Sequence, residues 1–90
     1  MRTGVHELKC WPDYYSTVVS GSKPFEVRKN DRDFIVGDTL ILREWCPKEA
    51  GGIEGNGYSG RQTERVVTYV LKDDSIGLQP GYVVMGIAKP

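Results

Sequence analysis

The chain has 90 residues, of which 39% are hydrophobic and 27% charged, as is typical of one globular domain near the lower size limit for burying a core. Twelve basic residues balance twelve acidic residues, which argues against a protein that coats duplex nucleic acid through bulk charge but leaves room for a small basic site. With no apolar run long enough to cross a membrane and no signal-peptide core, we expect one cytoplasmic domain over residues 1–90.

Secondary structure is predicted to be mostly short strands, because eleven glycines and five prolines favour many turns over a helical bundle. The segment 5–10 is predicted to be the first strand. A short helix follows, with Pro12 suited to its first turn and Gly21 to its left-handed end. Trp11, Tyr15, Val18 and Val19 follow helical spacing and are predicted to form its apolar stripe.

Four further strands are predicted from alternating or continuous apolar residues bounded by turn residues. The last of them is mostly apolar and is expected to be buried on both faces. Closure of such a chain into a barrel would remove exposed sheet edges, so we predict an α+β, mainly β, small mixed barrel. The four predicted strands cover residues 24–29, 39–45, 63–71 and 82–88.

Residues 47–60 are predicted to form a long glycine-rich loop, which is either a functional flap closing over a ligand or a disordered segment. Gly55 to Gly60 formally match a dinucleotide fingerprint. Since a strand rather than a helix follows, the match is not taken as a nucleotide-binding motif. Tyr58 within this loop would either stack on a ligand or anchor the packing.

The cysteines give no indication of a metal centre. Cys10 and Cys46 are expected to remain reduced, because no secretory signal is visible. A zinc site would need further ligands, and His6 is the only histidine. We therefore predict neither a metal nor a cofactor.

The segment 21–28 holds the main functional candidates. Phe25 and Val27 alternate with Glu26 and Arg28, so we expect the apolar pair in the core and the charged pair on the other face. Such a pair is often only a solvated ion pair. As a binding site, Arg28 would offer a planar fork for phosphate or a base edge, Lys23 a point charge, and Glu26 an acceptor for an amino group.

This segment resembles the signature of the ASCH domain, a family of the PUA-like barrel superfamily. The resemblance is carried by Gly21, Lys23, Glu26 and Arg28, and by the strand entry at residues 36–41. The first strand, the helix ending at Gly21 and the closing strand also occupy the positions that such a domain would give them. The resemblance implies a PUA-like β-barrel with one or two short capping helices and a polar cleft beside the helix.

The resemblance further implies binding of RNA or of a modified nucleotide, with no signal specific to DNA. Trp11 and Trp45 are candidate stacking platforms for a base, and Arg65 is a further candidate phosphate contact. The predicted ligand-binding residues are His6, Lys9, Lys23, Glu26, Arg28, Tyr58 and Arg61.

Two alternatives to binding remain open. Some small ASCH proteins are hydrolases, including amidohydrolases of acetylated cytidine and ribonucleases. Lys23 matches the lysine of the amidohydrolases, but Glu26 stands where they carry a nucleophilic threonine. A hydrolase would therefore use Lys23 with Glu26 or Glu64 to activate water. The other alternative is a protein-interaction adaptor, which a barrel without a polar cleft would favour.

Overall fold

The fold is a small mixed sheet that curves into a half-barrel with one short helix in the described residues. A computed structural model describes residues 3–46, 57–72 and 76–90. In chain order the elements are β1 (Val5–Cys10), α1 (Pro12–Ser20), β2 (Phe25–Lys29), β3 (Thr39–Trp45), β4 (Tyr58–Leu71) and β5 (Tyr82–Ala88).

The sheet has the order β1-β3-β4-β5-β2, so β1 and β2 are its two edges. β1 pairs in parallel with β3, and the other three pairings are antiparallel. The short α1 connects the two edge strands along the chain. The two edge strands are therefore close in sequence. Side chains from β1 and β2 can meet in the gap between these edges.

The predicted mainly β fold is confirmed at this level, and so are the bounds of three strands, β1, β3 and β5. β4 is longer than predicted, because Tyr58 pairs with Trp45 beyond an irregularity in the register. The predicted loop therefore ends earlier, and the rest of the proposed flap, residues 47–56, lies outside the described residues. β5 buries one face, with Val83, Met85 and Ile87, so the expectation of burial on both faces is wrong.

The helix begins at Pro12 and ends before Gly21, as these two residues predict. Pro12 is its first residue, and Gly21 adopts a φ of 89° and donates its N–H to the Val18 carbonyl at 3.1 Å. Only part of the predicted stripe is buried: Tyr15 and Val18 pack into the core, whereas Trp11 and Val19 are exposed. A helix of nine residues presents only about two turns to the sheet, so few of its apolar side chains are buried.

The core lies on one face of the sheet and is closed by α1 and by Phe34. Alternation along β3 buries Leu40 and Leu42 and leaves the intervening residues half-exposed. The buried apolar cluster consists of Leu8, Cys10, Tyr15, Val18, Phe34, Leu40, Leu42, Val67, Val83, Met85 and Ile87.

Asp38 is a buried carboxylate that joins β1 to the segment before β3. Its Oδ1 accepts the Gly4 N–H at 2.7 Å, and its Oδ2 accepts the Ile35 N–H at 3.0 Å and lies 2.9 Å from His6 Nε2. Burial alone would raise the pKa of Asp38, but the two backbone donors and His6 outweigh it and lower that pKa below its ordinary value. The carboxylate is therefore a structural acceptor.

We expect Asp38→Asn to lower the free energy of unfolding by about 1–3 kcal/mol, measured by urea denaturation. An amide has one acceptor oxygen, so it cannot accept from both Gly4 and Ile35 as the carboxylate does. The matched control is Asp33→Asn, because Asp33 is exposed at a φ of 50°, a conformation that Asn tolerates. Equal stability of the two variants would contradict the assigned role.

The stability difference between the wild type and Asp38→Asn should depend on pH. A carboxylate with a lowered folded pKa contributes stability above its unfolded pKa of about 3.9 and loses it as pH falls through the folded pKa. The difference between wild type and Asp38→Asn should be constant between about pH 5 and 7 and shrink below about pH 4. A stability difference that stays unchanged down to about pH 2 would contradict the lowered pKa of Asp38 in the folded protein.

Candidate functional site

Glu26 is a buried carboxylate between two cations. It is 3% exposed, and Lys23 Nζ donates to its Oε1 at 3.2 Å while Arg28 Nε donates to its Oε2 at 3.0 Å. Its neighbours Phe25 and Val27 are 41% and 50% exposed. The predicted alternation is confirmed, but the prediction that the apolar pair enters the core is wrong. A buried carboxylate is tolerated here because both oxygens accept charge-assisted bonds.

Arginine side chains connect the two edges of the sheet. Arg28, on β2, donates from Nη2 to the Lys9 carbonyl on β1 at 2.7 Å. Arg32 donates from Nη1 to the Glu7 carbonyl at 3.1 Å. These carbonyls belong to an edge strand and have no strand partner on that side. Both guanidinium groups therefore satisfy part of the open edge, and Arg28, which lies on β2, also ties β2 to β1.

Between these edges lies a cleft of about 490 Å³, a size typical of sites for small molecules. Its walls come from the end of β1, the start of α1, the turn after the helix, and β2. The residues lining this cleft are Lys9, Cys10, Trp11, Tyr14, Lys23, Glu26, Val27 and Arg28.

Two aromatic rings stand at the mouth of the cleft. Trp11 and Tyr14 are 55% and 56% exposed, an unusual exposure for large apolar side chains that are three positions apart at the start of a helix. Lys23 Nζ lies 5.2 Å from the centroid of the Tyr14 ring and 5.2 Å from that of Phe25. The cleft thus combines exposed π faces with a fixed cation.

The structure brings together four of the predicted ligand-binding residues and places the others elsewhere. Lys9, Lys23, Glu26 and Arg28 all line the cleft. His6 does not; it contacts Asp38 and packs edge-on against Phe34 at 4.9 Å between ring centroids.

Three further candidates lie on β4. Arg61 pairs with Glu44 through two bonds of 2.9 Å and lies over the Tyr15 ring. Glu64 is exposed on β4 and is not among the residues lining the cleft. Arg65 is buried and donates to the Val18 carbonyl at 3.2 Å, where a cation also complements the C-terminal end of the helix. These arginines hold α1 against the sheet.

Sequence reasoning missed Tyr14, Cys10 and Val27 as cleft residues, the last because it was expected in the core. Tyr14 lies three residues after Trp11, and this helical spacing was the available signal. Cys10 carried no signal, because its place in the cleft depends on how β2 folds back beside β1.

A second pocket of about 320 Å³ adjoins the cleft and shares Lys9 and Arg28 with it. We call it the basic pocket, since five of its ten lining residues are lysine or arginine. Tyr58, another predicted ligand-binding residue, is found here. The residues lining the basic pocket are Glu7, Leu8, Lys9, Arg28, Lys29, Asp31, Arg32, Phe34, Arg43 and Tyr58.

Within residues 3–46, 57–72 and 76–90, no group of three or more His, Cys, Asp or Glu side chains is placed to hold a metal ion. No helix in the described part of the chain is long and apolar enough to cross a membrane. Cys10 and Cys46 are both free cysteines.

We expect the Cys10 thiol to be unreactive at pH 8. Burial, with a further contribution from Glu26, raises its pKa from 9.0 to about 11, which lowers the thiolate fraction about 100-fold. Cys46→Ser leaves Cys10 as the only cysteine. This variant should react slowly with a disulfide reagent until denaturant is added, whereas Cys10→Ser, which retains the half-exposed Cys46, should react quickly. Fast reaction of native Cys46→Ser would contradict the burial of Cys10.

Two comparisons show which known proteins this chain is similar to. Residues 5–87 match a family model described as "Domain of unknown function (DUF3850)". The chain is also 39% identical over 70 residues to a protein of Escherichia phage P2 called "Uncharacterized 12.9 kDa protein in GpA 3'region". That match covers 78% of this chain and 57% of the phage protein. All residues that line the cleft and the basic pocket lie inside the matched family range.

Proposed function

The chain belongs to the DUF3850 family, and we propose that its cleft binds RNA or a nucleotide by stacking a base on Trp11 and Tyr14. The observation that carries the proposal is the meeting of these two exposed rings with the Lys23–Glu26–Arg28 cluster in one cleft. Aromatic faces accept any base, and cations beside them attract phosphate.

The charged cluster supplies the polar part of recognition. Glu26 fixes Lys23 and Arg28 by its two oxygens, so both cations are ordered before a ligand arrives. Arg28 offers its remaining N–H donors to a phosphate or to a carbonyl on a base edge. Pre-ordering of this kind lowers the entropy lost on binding.

Two further observations support the proposal. The resemblance of residues 21–28 to the ASCH signature implies RNA or modified-nucleotide binding in a PUA-like barrel, and these are the residues that form one wall of the cleft. The cleft volume of about 490 Å³ also suits one nucleotide-sized ligand. The presence of a polar cleft favours ligand binding over the adaptor interpretation.

We expect a labelled single-stranded RNA to bind in fluorescence anisotropy at about 50 mM salt. Trp11→Ala should raise the Kd roughly 5- to 150-fold, because one stacked base contributes about 1–3 kcal/mol. Trp11 is half-exposed, so its removal should leave the fold intact.

Tyr69→Ala is the matched control, since Tyr69 is 62% exposed on β4 and does not line the cleft. It should bind RNA as the wild type does. Absence of binding by the wild-type chain, or equal binding by Trp11→Ala, would overturn the proposal.

A hydrolase is the second candidate, favoured by the 3.2 Å contact between Lys23 Nζ and Glu26 Oε1 inside the cleft. In this case the pair would activate water against a modified cytidine or RNA. Glu26→Gln should then abolish turnover of acetylated cytidine or of RNA, while Glu64→Gln, at an exposed position outside the cleft, should retain it. Lack of turnover by the wild-type chain on both substrates would leave binding as the function of the cleft.

A further inference from the structure

The basic pocket continues the cleft along β1. Lys9 and Arg28 line both, so the two adjoin at these side chains, and we refer to them together as the groove. The cleft provides the exposed rings of the groove, and the basic pocket provides most of its cations. A ligand that occupied both pockets would therefore pass these two side chains.

Acidic residues in the basic pocket neutralise its cations only weakly. The Glu7 and Asp31 side chains are each 64% exposed, and their contacts with Arg43 and Arg32 are long, at 3.6 and 4.0 Å. Exposed ion pairs of this geometry contribute little. A phosphate group would displace them at little cost and would form shorter, charge-assisted bonds.

Aromatic rings hold two of these cations in place without neutralising them. The Arg43 guanidinium lies 3.9 Å from the centroid of Tyr58, and Lys9 Nζ lies 4.3 Å from that of Trp45. A cation over a ring retains its full charge and its remaining donors. These contacts limit the freedom of the side chains and leave the charge available to an anion.

Charge is distributed unevenly over the chain despite its zero net charge. The groove contains six of the twelve basic residues but three of the twelve acidic ones. It therefore carries an excess of three positive charges, and the rest of the chain carries the matching negative excess. Such a distribution attracts a polyanion to one face and repels it from the others. The basic residues of the groove are Lys9, Lys23, Arg28, Lys29, Arg32 and Arg43.

We propose that the basic pocket binds the sugar–phosphate backbone of the nucleotide adjoining the one stacked in the cleft. The ligand would then be single-stranded RNA of at least two nucleotides rather than a nucleoside or mononucleotide. This inference rests on the proposed function, because it assigns the neighbour of the stacked base. Single-strand binders combine stacking rings with a basic path for the backbone in this way.

The test compares uridine monophosphate with a uridine tetranucleotide by isothermal titration calorimetry. The double variant Lys29→Gln/Arg32→Gln should weaken tetranucleotide binding about tenfold at low salt and leave mononucleotide affinity unchanged. If two phosphate contacts are lost, the plot of log K against log salt concentration should become less steep by about 1.4. The matched control is Lys72→Gln/Lys89→Gln, which makes the same change in net charge at exposed sites outside the groove.

Arg32 also donates to the Glu7 carbonyl, so thermal unfolding of the double variant is measured first. Lys29→Gln alone, at an exposed position, provides the test if the double variant unfolds, with about half the change in slope expected for two contacts.

The possible failures are distinguishable. If the Lys29 and Arg32 variants bind the tetranucleotide normally while Trp11→Ala weakens both ligands, the basic pocket is excluded and the cleft stands. Equal affinity of the wild-type chain for the two ligands would also exclude the basic pocket. Binding of neither ligand would overturn both proposals.

Discussion

The buried Glu26 carboxylate is the constraint on which the candidate site depends. Removing a carboxylate from water costs several kcal/mol unless cations and hydrogen bonds replace the solvent. Lys23 and Arg28 supply that replacement, one to each oxygen. Since Arg28 also donates to the Lys9 carbonyl, the same arrangement holds β2 at a fixed distance from β1. The ion pair that stabilises the buried Glu26 carboxylate therefore also sets the width of the cleft.

The turn between α1 and β2 places these groups where they are needed. Gly21 ends the helix in a left-handed conformation, and the Lys23 N–H then donates to the Thr17 carbonyl at 3.1 Å. The chain is thereby tied to the last turn of the helix, with Lys23 beside Tyr14 and Glu26. Helix termination and cation placement are therefore one structural event.

The start of β1 and the segment before β3 are joined by a second buried carboxylate, Asp38, which accepts from two backbone N–H groups and contacts His6. The two acids differ in what surrounds them. Asp38 is enclosed by backbone N–H groups and serves the fold, whereas Glu26 lines the cleft, where two cations pair with it and exposed rings lie nearby. Residue type alone does not separate these roles.

Local patterns predicted much of the fold and part of the site. The bounds of β1, β3 and β5 followed from alternating or continuous apolar residues, and the helix from Pro12 and Gly21, because these signals act over a few neighbouring residues. The orientation of β2 did not follow. Hydrophobicity alone favours burial of Phe25 and Val27, but the ion pairs of Glu26 override this preference. One of the two cations, Arg28, also donates to the carbonyl of Lys9, nineteen residues away in the chain.

By itself the sequence determined the order of the elements and the proximity of Lys23, Glu26 and Arg28, since all three lie within six residues on one turn and strand. Only the tertiary structure decided which face of β2 is buried, that β1 and β2 form the two edges of the sheet, and that Trp11 and Tyr14 border the cleft. These features depend on contacts between distant segments. Apolar periodicity indicates which residues are compatible with burial, but it does not identify the distant group that stabilises a buried charge.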